Sequence, residues 1–189
     1  MKTVAQKFFV VVFFVMSLSA VASAQSKIGL KGLGAKLGYV SPEGIYGGTV
    51  MYEAMADLGE FSSKVKFGGR LGYWSSSANF DTLSGGVSKS DFILGGTAIV
   101  PLSIQGGKYK PYFGAGLSLN FLNTSYDDAL PQETRNLGGS ELEIGLDATV
   151  GVRYALNDKL DGVGDVMWTL GGESEQFAIR VGILFKISD

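Results

Sequence analysis

Glu141 to Tyr154 read ELEIGLDATVGVRY. Every second residue gives Leu142, Ile144, Leu146, Ala148, Val150, Val152 and Tyr154, and between them stand Glu141, Glu143, Gly145, Asp147, Thr149, Gly151 and Arg153. This unbroken alternation predicts a strand with one apolar and one polar face. A helix of the same sequence would scatter charge and aliphatic residues around its whole circumference and bury nothing coherent. At ~3.3 Å per residue the stretch is ~46 Å long, far beyond the strands of a typical soluble domain. Tilted by ~45° it crosses ~33 Å, about the hydrocarbon thickness of a bilayer.

The pattern recurs along the chain. Strand one is expected over Ile28–Val40, with a parity switch and hence a bulge near Gly32. Strand two is expected over Ile45–Asp57, followed by a tight Leu58-Gly59-Glu60 connection, and strand three from Val65 to Trp74. Ser75–Ser90 is rich in Ser, Gly, Asn and Asp without periodicity and predicts a long loop. Strands four and five run from Asp91 to Val100 and Tyr112 to Phe121, joined by a turn over Pro101–Lys110. Leu122–Gly139 is the second expected long loop and leads into the opening stretch. Ala155–Lys159 then turns into strand seven, Leu160–Leu170, and Gly171–Gln176 into strand eight, Phe177–Lys186. An even number of strands, with short turns on one side and longer loops on the other, predicts an all-β, eight-stranded, antiparallel up-and-down transmembrane barrel.

Composition agrees. Charged residues make up 18% of the 189 residues, against about 25% for a soluble domain. Lys2 and Lys7 precede and flank the apolar run Phe8–Met16, and Ala22-Ser23-Ala24 offers a small-x-small cleavage site. Residues 1–24 are therefore read as a cleaved signal peptide, and 25–189 as the barrel domain. With no Cys, neither a lipidated N-terminus nor a disulfide is expected. Cleavage removes two lysines and makes an already acidic chain more so, which disfavours nucleic acid as a partner.

Alternation does not say which face points outward, since soluble lipocalin-like lipid binders also have eight strands. Two features decide it. The polar face holds many glycines and charges of both signs, including Lys36, Glu53, Lys66, Arg70, Asp91, Glu143, Asp147, Arg153, Asp165, Arg180 and Lys186. An eight-stranded interior is only just wide enough for side chains, so Phe, Leu, Tyr and Trp from every strand would crowd it. Aromatics of the apolar face also gather near strand ends. Tyr39, Tyr46, Tyr73, Phe92, Phe121 and Trp168 lie toward the loops, and Phe67, Phe113, Tyr154 and Phe185 toward the turns. Two girdles suit two water–lipid interfaces, although Tyr52 falls outside them at mid-strand.

In strand pattern and architecture the mature chain resembles the small bacterial outer-membrane β-barrel family that includes the OmpA transmembrane domain, OmpX and OmpW-like proteins. The resemblance implies an outer-membrane location. It also implies that Phe177-x-Ile179-x-Val181-x-Ile183-x-Phe185 is the aromatic-ended strand read by the barrel-insertion machinery, with Lys186–Asp189 following it.

No catalytic, cofactor-binding or metal-ligating set is predicted. The absence of His removes the His-assisted chemistry that enzymatic barrels use. Glu141 and Glu143 share a face but read as rim charges. Tyr126-Asp127-Asp128 with Glu133 lacks the ligand spacing of a calcium loop. The expected role is non-enzymatic, structural or surface-interacting, with a salt-bridged polar lumen, outer-membrane lipid around it and an unidentified partner at the loops. Passage of apolar compounds is the alternative.

Overall fold

The alternating segments form eight strands: β1 (Lys27–Pro42), β2 (Thr49–Ser62), β3 (Val65–Asn79), β4 (Gly86–Pro101), β5 (Tyr109–Tyr126), β6 (Gly139–Asn157), β7 (Leu160–Leu170) and β8 (Gln176–Lys186). The computed structural model describes residues 27–62, 64–79, 85–102, 108–127, 131–135 and 138–187, so the signal-peptide reading of 1–24 lies outside the described residues. Each strand pairs antiparallel with its neighbours in sequence, and β8 pairs with β1 to close the barrel. No described helix is long and apolar enough to cross a membrane; the wall is made of strands.

Register fixes the shape. From Gly32 on β1 the paired residues run through Asp57, Gly68, Thr97, Gly116, Asp147, Thr169 and Gln176, and return to β1 at Pro42, ten residues farther along. With eight strands, that stagger tilts the wall by about 40° and gives a radius of about 8 Å. Such a tube has room for one layer of inward side chains.

Side-chain facing follows the alternation. On β6, Leu146 and Val150 are each 59% exposed, whereas Asp147 between them is 4% exposed. The same holds on β8, where Ile179, Val181, Ile183 and Phe185 face out and Ala178, Arg180 and Leu184 face in. An outer surface of exposed Leu, Val, Ile and aromatics is stable in lipid and not in water. This disposes of the lipocalin-like reading, which needs those side chains around an internal cavity.

Several expected boundaries move. The parity switch near Gly32 is real, with a register shift between Ile28 and Gly32. The expected turn at Leu58-Gly59-Glu60 instead lies inside β2. There Gly59 adopts φ +87°, its N–H donates to Asp57 Oδ1 at 3.0 Å, and the register slips between Asp57 and Glu60. This is a glycine bulge, and β2 runs on to Ser62 before β3 begins at Val65. The loop expected over Ser75–Ser90 is mostly ladder: Ser75 pairs with Ser90, Ser77 with Ser88, and Asn79 with Gly86. Beyond the bilayer the outer face of a hairpin meets water instead of lipid, so polar residues take both parities while the backbone pairing continues, and Val87 and Lys89 still turn inward and are buried. β5 and β6 likewise extend into the second expected loop, leaving 127–138 with a helical turn at Gln132–Arg135.

Two aromatics also move. Because β2 starts at Thr49, Tyr52 lies near its loop end and pairs with Tyr73, which pairs with Phe92, which pairs with Phe121. These four form a continuous band, so Tyr52 joins the girdle. Tyr46 leaves it: the residue precedes β2, and Lys89 Nζ lies 5.5 Å from its ring centre. At the other end Tyr109 stacks on Tyr154 with ring centres 4.8 Å apart.

Candidate functional site in the lumen

The inward residues halfway along the strands are charged, and the tube brings them together. Glu53 receives Arg180 Nη1 at 2.5 Å and Lys36 Nζ at 3.1 Å, with Arg70 Nη1 at 3.6 Å. Asp165 accepts from Arg180 Nε at 2.7 Å, Lys36 Nζ at 3.0 Å and the Tyr112 hydroxyl at 2.8 Å. Asp147 accepts from Arg70 Nη2 at 2.8 Å, the Thr169 hydroxyl at 2.8 Å and the Ser118 hydroxyl at 3.2 Å. Lys36, Arg70 and Arg180 thus neutralise Glu53, Asp147 and Asp165 in one lattice that draws on every strand but β4. Buried charges persist only when paired and hydrogen-bonded in this way.

β4 contributes by omission. A side chain at Gly95 would place its Cβ 2.7 Å from Arg70 Nε, and one at Gly38 would come within 2.6 Å of Arg180 Cγ. The two arginine side chains lie across these glycines. Only about 50 Å³ remains free beside the lattice, enough for a few waters.

The sequence reading of a wholly polar lumen needs correcting. Val40, Met51, Trp74, Ile93, Met167 and Ala178 are buried together on the loop side of the charges. Tyr112, Val163 and Leu184, with Met55 and Ile99 against them, form a second cluster on the turn side. All have inward parity, and except for Ile93 and Ile99 on β4 and Tyr112 on β5 each stands two to four residues from a lattice charge. That parity was the available signal, but the charges among them made the face look uniformly polar.

The other expected lumen charges lie at the two mouths. Arg153 pairs with Asp57 at 2.6 Å, Lys186 with Asp161 at 2.9 Å and Lys66 with Glu60 at 3.2 Å, all at the turn end. At the loop end Glu143 accepts the Ser174 N–H at 2.8 Å and Lys89 donates to the Glu173 carbonyl at 2.7 Å. Asp91 faces inward there and is fully buried. Glu141 is exposed, two residues along β6 from the half-buried Glu143. Of the loop carboxylates, Asp127 and Glu133 are described, while Asp128 lies outside the described residues.

Charge is therefore distributed unevenly along the axis. Among the described residues the loop end carries Glu43, Asp91, Asp127, Glu133, Glu141, Glu143, Glu173 and Glu175 against Lys89 and Arg135. Among the described residues the turn end carries Lys31, Lys64, Lys66, Lys108, Lys110, Arg153, Lys159 and Lys186 against Asp57, Glu60, Asp158 and Asp161.

The wall has known counterparts. The Neisserial surface protein A (NspA) structure shares 18% identity, covers 82% of this chain and 95% of its own, and superposes with a TM-score of 0.57. The N-terminal β-barrel domain of Pseudomonas aeruginosa OprF shares 15% identity over 84% of this chain and 99% of its own, with a TM-score of 0.54. Ail, the attachment invasion locus protein of Yersinia pestis, in complex with the heparin analogue sucrose octasulfate, shares 9% identity over 84% and 97%, with a TM-score of 0.52. At such identities the likeness is one of fold. No curated protein sequence matches the chain. The model of the Opacity family porin proteins matches residues 60–182. With a closed eight-stranded wall, an apolar outer face and that match over most of its length, the chain is a bacterial outer-membrane β-barrel belonging to the Opacity porin family.

Proposed function

We propose that this protein is a non-enzymatic, non-conducting barrel that anchors a surface-interacting loop end in the outer membrane. The observation that carries the reading is the lattice around Glu53, Asp147 and Asp165, which fills the tube at mid-height between two apolar clusters. A path for ions would have to break several charge-assisted hydrogen bonds at once. Purified protein in planar lipid bilayers should show no regular conductance steps; steady, discrete openings of the wild-type chain would overturn the closed-lumen reading. Passage of apolar compounds through the wall would need a lateral gap, and the unbroken pairing from β1 to β8 and back argues against one.

On this reading outer-membrane lipid covers the outer face. The Phe177–Phe185 strand is what the insertion machinery reads, and the contact region is the loop end around Asn79–Gly86 and Tyr126–Gly139. Ail binds a heparin analogue in its structure, but the acidic loop end here suits a neutral or cationic partner instead. Sucrose octasulfate titrated into the micellar protein should therefore give no saturable heat at the loop end, whereas tight binding abolished by loop substitutions would reverse the inferred partner charge.

A further inference from the structure

The outer wall changes character across the loop-side aromatic band. Just below the band the surface sinks into an open depression of about 720 Å³, floored by the paired Ala35 and Ala54 and flanked by Leu71 and Ile183. Tyr52, Tyr73 and Phe92 of the band stand along its upper edge. That volume falls within the ~300–1,000 Å³ of small-ligand sites, and the outward-facing lining is apolar apart from the two tyrosine hydroxyls.

Just above the band the outward residues become polar, and they stand in register. Ser75 pairs with Ser90, Ser90 with Asn123 and Asn123 with Ser140, which makes one row across four strands. Ser77, Ser88 and Ser125 make the next row. Neither row holds a charge, although the loop end as a whole is acidic. About a quarter of the residues of a soluble domain are charged, and strand propensity favours Thr over Ser or Asn, so neither wetness nor pairing selects this set. Short side chains leave the face flat, and each of them can both donate and accept a hydrogen bond. Ser140 already donates to Asn123 at 3.0 Å, whereas among the described residues no hydrogen bond engages the hydroxyls of Ser75, Ser77, Ser88 and Ser90.

The two features are continuous. Ser75 and Ser77 follow Tyr73 along β3 in two-residue steps, as Ser90 and Ser88 precede Phe92 along β4. Each step climbs about 5 Å at the tilt of the wall, and a headgroup layer is about 5–8 Å deep. The first row thus stands at headgroup depth, directly above a surface that meets acyl chains.

We propose that the β1–β4 side of the barrel binds a glycolipid of the loop-side leaflet, with one acyl chain seated over Ala35 and Ala54 and an uncharged sugar headgroup lying on the serine face. Sugar hydroxyls match a flat array of groups that donate and accept, while an anionic phosphate would need clustered Lys or Arg and finds none there. Tyr52 and Tyr73 mark the level at which chain gives way to headgroup. The inference rests on the reading that lipid covers the outer face, and it adds which lipid and where.

Digalactosyldiacylglycerol is the probe. The purified full chain is placed in phosphatidylcholine nanodiscs containing equal amounts of this lipid and phosphatidylglycerol, and the lipids retained after gentle release are counted by native mass spectrometry. The wild type should retain the galactolipid over phosphatidylglycerol by about tenfold, the scale of one or two net hydrogen bonds. S75A/S77A/S88A/S90A should abolish that preference yet still retain lipid, and A54F, which fills the depression, should lower retention of both lipids. All five side chains face outward, so heat-modifiable gel mobility should report folded barrels for every variant. Equal retention of the two lipids by the wild type, or a preference that survives the four serine substitutions, would overturn the proposal. Dimers that those substitutions dissolve would give the face to a second copy and overturn it too. Failure of the barrel to enter nanodiscs at all would strike down the lipid-facing reading itself, and this inference with it.

Discussion

At the residue scale the lattice hinges on Glu53, because one carboxylate answers Lys36, Arg70 and Arg180 together. Removing one partner from a buried network leaves the others uncompensated, at a cost of about 3–5 kcal/mol. Glu53→Ala should lose stability on that scale in urea unfolding of the micellar protein, and a loss under 1 kcal/mol would mean that the lattice does not hold the tube together. Gly95→Val should also destabilise, without altering any charge, by pushing Arg70 off its bed. The individual charges were legible in the sequence, because an inward parity and a charged side chain are both local facts. Their partners were not. Lys36 and Asp165 are separated by most of the chain and meet only when β8 closes on β1. Trp74 and Ile93 were hidden for another reason: bulky apolar residues on a polar face look like errors until the tube shows that they stack with Met51 and Met167.

At the element scale, the alternation in β6 located the strand and its facing, and β7 ends where its sequence pattern ends. Lipid depth should now be readable along β6. Leu146→Arg, near mid-wall, should cost ~2–4 kcal/mol, and Leu142→Arg, beside the loop-side aromatic band, ~0–1 kcal/mol. Equal costs at the two positions would contradict the assigned depth. Strand ends were the poorly legible part. Alternation in polarity reports a difference between two environments, and it fades where a hairpin leaves the bilayer and its outer face meets water instead of lipid. Ladder pairing from Ser75 to Asn79 with Gly86 to Ser90 persists without that signal. Amide hydrogen exchange should show these residues protected nearly as well as the wall; exchange at loop rates would remove the extension.

At the scale of the whole molecule, a closed ladder leaves no strand edge, and the stagger of ten residues per circuit sets a bore that one layer of side chains fills. Neither the stagger nor the mutual registers could be read from one sequence, since alternation fixes the parity of a strand and not its offset against a neighbour. The axial order of the filling has a thermodynamic consequence. The ionic mid-section lies between two apolar collars, Val40 to Ala178 above and Tyr112 to Leu184 below, with only a small water-sized space beside it. Screening acts over about 10 Å at 0.1 M salt on exposed charges but much more weakly on buried pairs such as these. Unfolding free energy should therefore stay flat as potassium chloride is raised from millimolar to molar, while rim pairs such as Lys66–Glu60 weaken. A barrel insulated in this way would keep the same internal strength in fresh water and in brine.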